Sequence, residues 1–144
     1  MELIKIEYEK LNARQKETYN FQDVSALLAR YGFSTIKLND DWQGADFIAQ
    51  HIDGETFLKV QLKGRLTFDK KYEGKSIHIC FPYPNNPDKQ TRNWYLFDHD
   101  ELLATFLTKY KNTMSISSSW IVEGTYSWGT LSEDILEILS SHKI

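Results

Sequence analysis

The sequence predicts a mixed α/β domain, one sheet with helices packed on it. Three observations lead there. An amphipathic helix near the N-terminus is bounded by cap signals, short apolar strands separated by turn residues follow it, and two later helices each start at a capping residue. The chain has 144 residues, a length that suits one domain spanning 1–144.

The first helix is expected over 13–31. Asn12 is its N-cap with Gln15 as capping-box partner, and Gly32 follows the last turn. Glu17, Phe21, Val24, Leu28 and Tyr31 share one helical face, so Glu17 is the single carboxylate on an otherwise inward-looking stripe. Three strands follow, at 34–38, 45–52 and 56–62. NDDWQG reads as a turn between the first two, and the Asp-Gly of DGE as a tight hairpin connection between the others. Residues 70–75 read as loop and 76–83 as a fourth strand. PYPNNPD reads as loop because its three prolines exclude a central strand. A short strand at 94–97 precedes a helix capped by Asp98, with Glu101 as reciprocal partner, running to about Tyr110. A late strand is expected over 118–126. Thr130 and Glu133 open a last helix over 132–141.

Composition narrows the function classes. Apolar residues make up 41% and charged residues 26%, the usage of an ordinary globular protein. The single cysteine, Cys80, excludes an internal disulfide and fits a reducing, cytoplasmic setting. The N-terminal MELIKIEYEK alternates charged and apolar residues unlike a signal peptide, and no segment is apolar enough for a bilayer, so no membrane association is expected. The net charge of −3 argues against a protein that merely coats nucleic acid. The charge is unevenly spread, however. Between positions 59 and 92 stand eight basic residues (Lys59, Lys63, Arg65, Lys70, Lys71, Lys75, Lys89, Arg92) against three acidic ones (Asp69, Glu73, Asp88). A basic middle in an acidic chain can attract phosphate, although such runs are also common on solvated faces.

The most informative segment is GADFIAQHIDGETFLKVQLKGR, 44–65. Asp46 begins one strand, a hairpin returns the chain, and Gln61 and Lys63 lie near the end of the next. Residues two apart on a strand share a face, so Gln61 and Lys63 project together while Val60 and Leu62 point into the core. The hairpin brings Asp46 beside both. Phosphodiester hydrolysis uses such a cluster. Mg²⁺ (or Mn²⁺ as substitute) prefers oxygen ligands, and Asp46 with the Gln61 side-chain oxygen or the Leu62 backbone carbonyl supplies them. Lys63 would stabilise charge developing on the phosphate or orient the attacking water.

These residues resemble the PD-(D/E)XK, or restriction-endonuclease-like, nuclease superfamily. Asp46 matches its first acidic residue, Gln61 takes the (D/E) position and Lys63 matches the lysine. Glu17 falls where several branches, Holliday-junction resolvases among them, carry a helical glutamate. The stretch LNARQKETYNFQDVSALLARYGF together with WQGADFIAQ and KVQLKGR looks like small uncharacterised bacterial proteins of this type. The resemblance covers roughly 12–110. It implies a restriction-endonuclease-like mixed sheet with an α-β-β-β-α-β core, a metal-dependent DNA endonuclease activity, and Asp46, Gln61, Lys63 and Glu17 as the centre. Gln61 departs from the pattern. It keeps an oxygen ligand but removes a negative charge, which lowers metal affinity, and Glu17 could supply the missing charge. The departure leaves open a catalytically inactive nuclease-fold module binding DNA or a protein, or a subunit active only with a partner.

DNA is the expected partner. A homodimer is a further expectation by analogy of fold, because cutting two strands takes two sites. Arg65, Lys70 and Lys71 follow the motif strand and would contact DNA phosphates. Trp42 and Gln43 precede Asp46 in a turn at the edge of the site, where Trp42 could equally cover the sheet end. His51, His78, His99 and His142 show no metal-ligand spacing, and Cys80 reads as a buried small hydrophobe. There is no Gly-rich phosphate loop, so no nucleotide cofactor is expected, and no zinc pattern or Ser-His-Asp signal.

Overall fold

The computed structural model describes residues 1–84 and 92–144, with the backbone alone at 41 and 42. Asn85–Asp88 of the expected loop and Lys89 lie outside the described residues. The strands are β1 (Phe33–Trp42), β2 (Ala45–His51), β3 (Phe57–Leu62), β4 (Leu66–Asp69), β5 (Ile77–Tyr83), β6 (Asn93–Asp98) and β7 (Thr125–Trp128). The α-helices are α1 (Ala13–Ala29), α2 (His99–Lys109) and α3 (Glu133–Leu139). Five strands form a mixed sheet in the order β1-β2-β3-β5-β6, with β3 and β5 parallel and the other neighbours antiparallel. β4 pairs with β7 in a separate two-stranded sheet. The mixed sheet with packed helices is the architecture expected.

α1 begins as its sequence dictates. The Asn12 side chain accepts the Gln15 N–H and Gln15 returns the bond to the Asn12 N–H, each at 2.9 Å. Val24 and Leu28 are buried against one sheet face, packed with Phe47, Ala49, Val60, Cys80 and Trp94. Two members of the expected stripe differ. Tyr31 lies beyond the helix end and is exposed, and Glu17 stands exposed at the first turns rather than inward. On the opposite sheet face a larger aromatic cluster joins β4, β5 and β6 to α2 and α3. Phe68 sits among Phe97, Phe106 and Trp128 at ring-centroid distances of 5.1–5.8 Å.

Four further expectations are corrected. NDDW is strand rather than turn: β1 continues through Trp42, and only Gln43 and Gly44 turn the chain. Both have positive φ, 52° and 88°, the requirement of a type I′ hairpin whose twist matches the strands. Gly44 is doubly required, because a Cβ there would meet the Tyr72 ring at 3.0 Å. Residues 119–123 form a π-helical turn ended by Gly124 at φ 74°, so the late strand starts only at Thr125. Pro82 and Tyr83 belong to β5, as the strand expected over 76–83 has them, so the loop reading of PYPNNPD does not hold for these two. Lys63 N–H donates to the Cys80 carbonyl at 2.9 Å, and Pro82, two residues on, offers its missing donor to the same side just past the last β3 pair, Leu62↔Cys80. α3 is capped by Ser132, whose side chain accepts the Ile135 N–H, rather than opened by Thr130.

β4 had no counterpart in the sequence reading. With a 3₁₀ turn at Lys70–Tyr72 it fills the crossover from β3 to the parallel β5, so no α-helix stands there and the helix after the meander, α2, follows β6. No helix among the described residues is long and apolar enough to cross a membrane.

Candidate active site

β2 and β3 pair antiparallel through Phe47↔Val60, and one step further along this register sets Asp46 opposite Gln61. The carboxylate of Asp46 bridges the end of the ladder: its Oδ2 accepts the Leu62 N–H at 2.8 Å. Val60 and Leu62 face the α1 side with Phe47, and alternation sends Gln61 and Lys63 to the other face. Gln61 Nε2 reaches the Leu62 carbonyl at 3.4 Å, a weak contact, and Gln61 Oε1 is buried with no hydrogen-bond partner.

Lys63 Nζ lies 5.4 Å from the centroid of the buried Tyr72 ring, and Lys71 Nζ lies 5.1 Å from the same ring. Tyr72 is held by its burial in the large cluster and by the close approach of Gly44. The hairpin turn, the motif strand and the crossover turn thus meet at one tyrosine.

Asp46, Gln61, Leu62, Lys63 and Glu17 all line one cleft of about 990 Å³. It wraps the end of the sheet where β3 stops while β5 continues. Tyr8, residues of α1, Arg92 and Trp94 line it together with the Lys37–Asp40 part of β1, the motif residues and Pro82. The four residues selected from sequence are therefore brought together. Lys70, Lys71, Arg65 and Gln43 do not line it. Lys70 Nζ stacks over Trp120 at 5.1 Å, Lys71 stands 4.0 Å from the Asp69 carboxylate, and Arg65 and Gln43 are exposed. Trp42's side chain lies outside the described residues.

Sequence reasoning missed the basic residues that also line the cleft, Arg14, Lys37 and Arg92. Arg92 was visible only as part of a charge count. In the fold its guanidinium lies between Tyr8 and Trp94 at 4.9 and 5.0 Å, donates to Asn20 Oδ1 at 2.9 Å and approaches Asp23 at 3.9 Å. Trp94 Nε1 donates to the same Asp23 carboxylate at 3.0 Å. Only Arg14's place one turn before Glu17 on α1 could have signalled this wall.

Among the described residues, no group of three or more His, Cys, Asp or Glu side chains could hold a metal ion. The donors that do converge are hard oxygens. Gln61 Oε1 is a buried acceptor lacking a partner beside a carboxylate, which is the chemistry a small divalent cation completes. Among the histidines, His78 titrates below its usual range because burial disfavours its charged form, despite Asp98 and Glu101 nearby. Burial also raises the Cys80 thiol far above its ordinary value, so this cysteine is no nucleophile. No family model, curated protein or solved structure matches the chain.

Proposed function

We propose that the chain is a metal-dependent DNA endonuclease of the restriction-like type, hydrolysing phosphodiester bonds in the cleft at the end of β2 and β3. The observation that carries the reading is Gln61 Oε1, buried and unsatisfied directly across the ladder from Asp46 and on the same face as Lys63. Asp46, Gln61 and the Leu62 carbonyl are the groups that would hold Mg²⁺ or Mn²⁺, with Glu17 adding charge from the α1 wall. A bound cation supplies polarisation of the phosphate and a lowered pKa for a coordinated water.

The protein's own residues do the positioning. Asp46 is oriented by the Leu62 N–H, so its carboxylate is fixed without reorganisation. The Lys63 ammonium faces the place where a phosphate would gain charge, and the Tyr72 ring beside it restricts its swing. The test is hydrolysis of supercoiled plasmid and branched DNA in Mg²⁺ or Mn²⁺. Nicked or resolved product is expected, and an inert protein in both metals would remove the reading.

A second reading has its own support: Gln61 replaces a charged ligand, and no acidic triad forms among the described residues. A nuclease-fold module that binds DNA or a protein without cutting would show no heat on calorimetric titration with Mn²⁺. A stand-alone nuclease would show saturable heat that Asp46→Asn removes.

A further inference from the structure

We infer that the cleft takes a single-stranded polynucleotide segment rather than an intact duplex. The inference rests on the nuclease reading and adds its substrate class. Size comes first. The cleft holds about 990 Å³, at the upper end of the roughly 300–1,000 Å³ typical of pockets for compact ligands. That admits a short run of nucleotides. A duplex, whose major groove alone is about 12 Å across, does not enter such a space.

The walls come second. Asp46, Gln61 and Lys63 are not on an open face. They share a cleft with one continuous wall, in which Arg92 joins Tyr8 and Asn20 of α1 to Trp94. The wall is fixed, because Arg92 is stacked between two rings and bonded to Asn20. A strand reaching the reactive groups must run along this fixed wall, and a second, paired strand would have to enter the same 990 Å³.

Charge placement comes third. Arg14 on α1 and Lys37 on β1 both have exposed side chains and line the cleft with Lys63. Successive phosphates of one strand could meet these three cations in turn, the arrangement of an electrostatic groove for single strands. The carboxylates of Glu17, Asp40 and Asp46 also line the cleft, so a divalent cation should strengthen binding.

The experiment is fluorescence anisotropy with a labelled DNA oligonucleotide, the RNA of the same sequence and the corresponding blunt DNA duplex. Each is titrated in Ca²⁺ over a series of KCl concentrations. A single strand, of DNA or RNA, should bind at least about tenfold tighter than duplex. Its log–log salt slope should be about −2, from three phosphate contacts at roughly 0.7 each. Arg14→Ala and Lys37→Ala should each flatten the slope by about 0.7, Lys37→Arg should restore it, and Lys109→Ala on α2 should leave it unchanged. Melting temperatures of the variants should match wild type, since both side chains are exposed. Duplex bound as tightly as single strand would overturn the inference while leaving the nuclease reading intact. Single-strand binding indifferent to Arg14 and Lys37 would overturn the path. Binding of none of the three probes would overturn both.

Discussion

Replacing Gln61 by Glu sets a second carboxylate directly across the ladder from Asp46. Side chains so opposed stand roughly 5 Å apart. At an effective dielectric of about 20, two like charges at that distance repel by about 3 kcal/mol. Asp46 is only half buried and Lys63 shares the face, so about 1–2 kcal/mol should survive screening. The sign follows from linkage. The new carboxyl has a folded pKa raised above its unfolded value of about 4.3. The destabilisation is therefore full at neutral pH and fades as pH falls through the folded pKa toward the unfolded one. Thermal unfolding at pH 7 without metal should drop by about 3–7 °C, and the drop should shrink at pH 5. Millimolar Mn²⁺ should raise the variant's melting temperature more than the wild type's, because the cation then bridges two carboxylates. A variant that melts like wild type at pH 7 and responds equally to Mn²⁺ would refute the placement of Gln61 against Asp46 in a cation-binding position.

Other outcomes follow from the same structure. Asp46→Ala should cost about 1–3 kcal/mol in urea unfolding, because it strips the acceptor from the Leu62 N–H; Asp46→Asn should keep most of that stability. Gly44→Ala should destabilise by about 1–3 kcal/mol, since φ is 88° and its Cβ would press on Tyr72, and an unchanged melting curve would contradict the turn. Asp100 is partly desolvated, which pushes its carboxyl up, but the His99 side chain and the Gly74 N–H outweigh this and hold it below 3.8. Its contribution is therefore present above that pH and lost as pH falls through the folded value, so Asp100→Asn should flatten the acid limb of the stability curve. Cys80 should resist thiol reagents in the native protein and react once urea unfolds it, as its complete burial and raised pKa require.

The parts of the fold that could be read from sequence are those where local chemistry and tertiary packing agree. Asn12 and Gln15 cap α1 by their own side chains, and Asp98 accepts the Glu101 N–H at the start of α2. No distant partner is needed for either. NDDW failed because its composition favours a turn, whereas pairing across a two-residue hairpin draws the segment into β1. SSWIVEGTY failed in the opposite sense. Its β-branched and aromatic residues suggest a strand, but Gly124 interrupts it and Trp120 is buried from a π-helical turn. β4 is four residues long and finds its partner, β7, more than fifty positions away, so no local period announces it.

The candidate site divides along the same line. Asp46, Gln61 and Lys63 were legible because one hairpin contains all three and strand alternation fixes their side. Glu17 was picked out for an inward stripe that it does not join; it reaches the cleft from its rim instead. Arg14, Lys37 and Arg92 were not legible as a group, because they come from α1, β1 and the residue before β6 and share a cleft only when these elements pack around the sheet end.

The central claim is that phosphodiester hydrolysis occurs where Asp46, Gln61 and Lys63 meet. The most direct measurement is the nicking rate of supercoiled plasmid in Mn²⁺ for wild type beside Asp46→Asn and Lys63→Ala, with folding of each variant checked by melting. The account predicts product from wild type and a loss of at least about a hundredfold in either variant, the scale of removing one transition-state stabiliser. Equal nicking by all three proteins would place the chemistry elsewhere, and no nicking by wild type would contradict the claim itself.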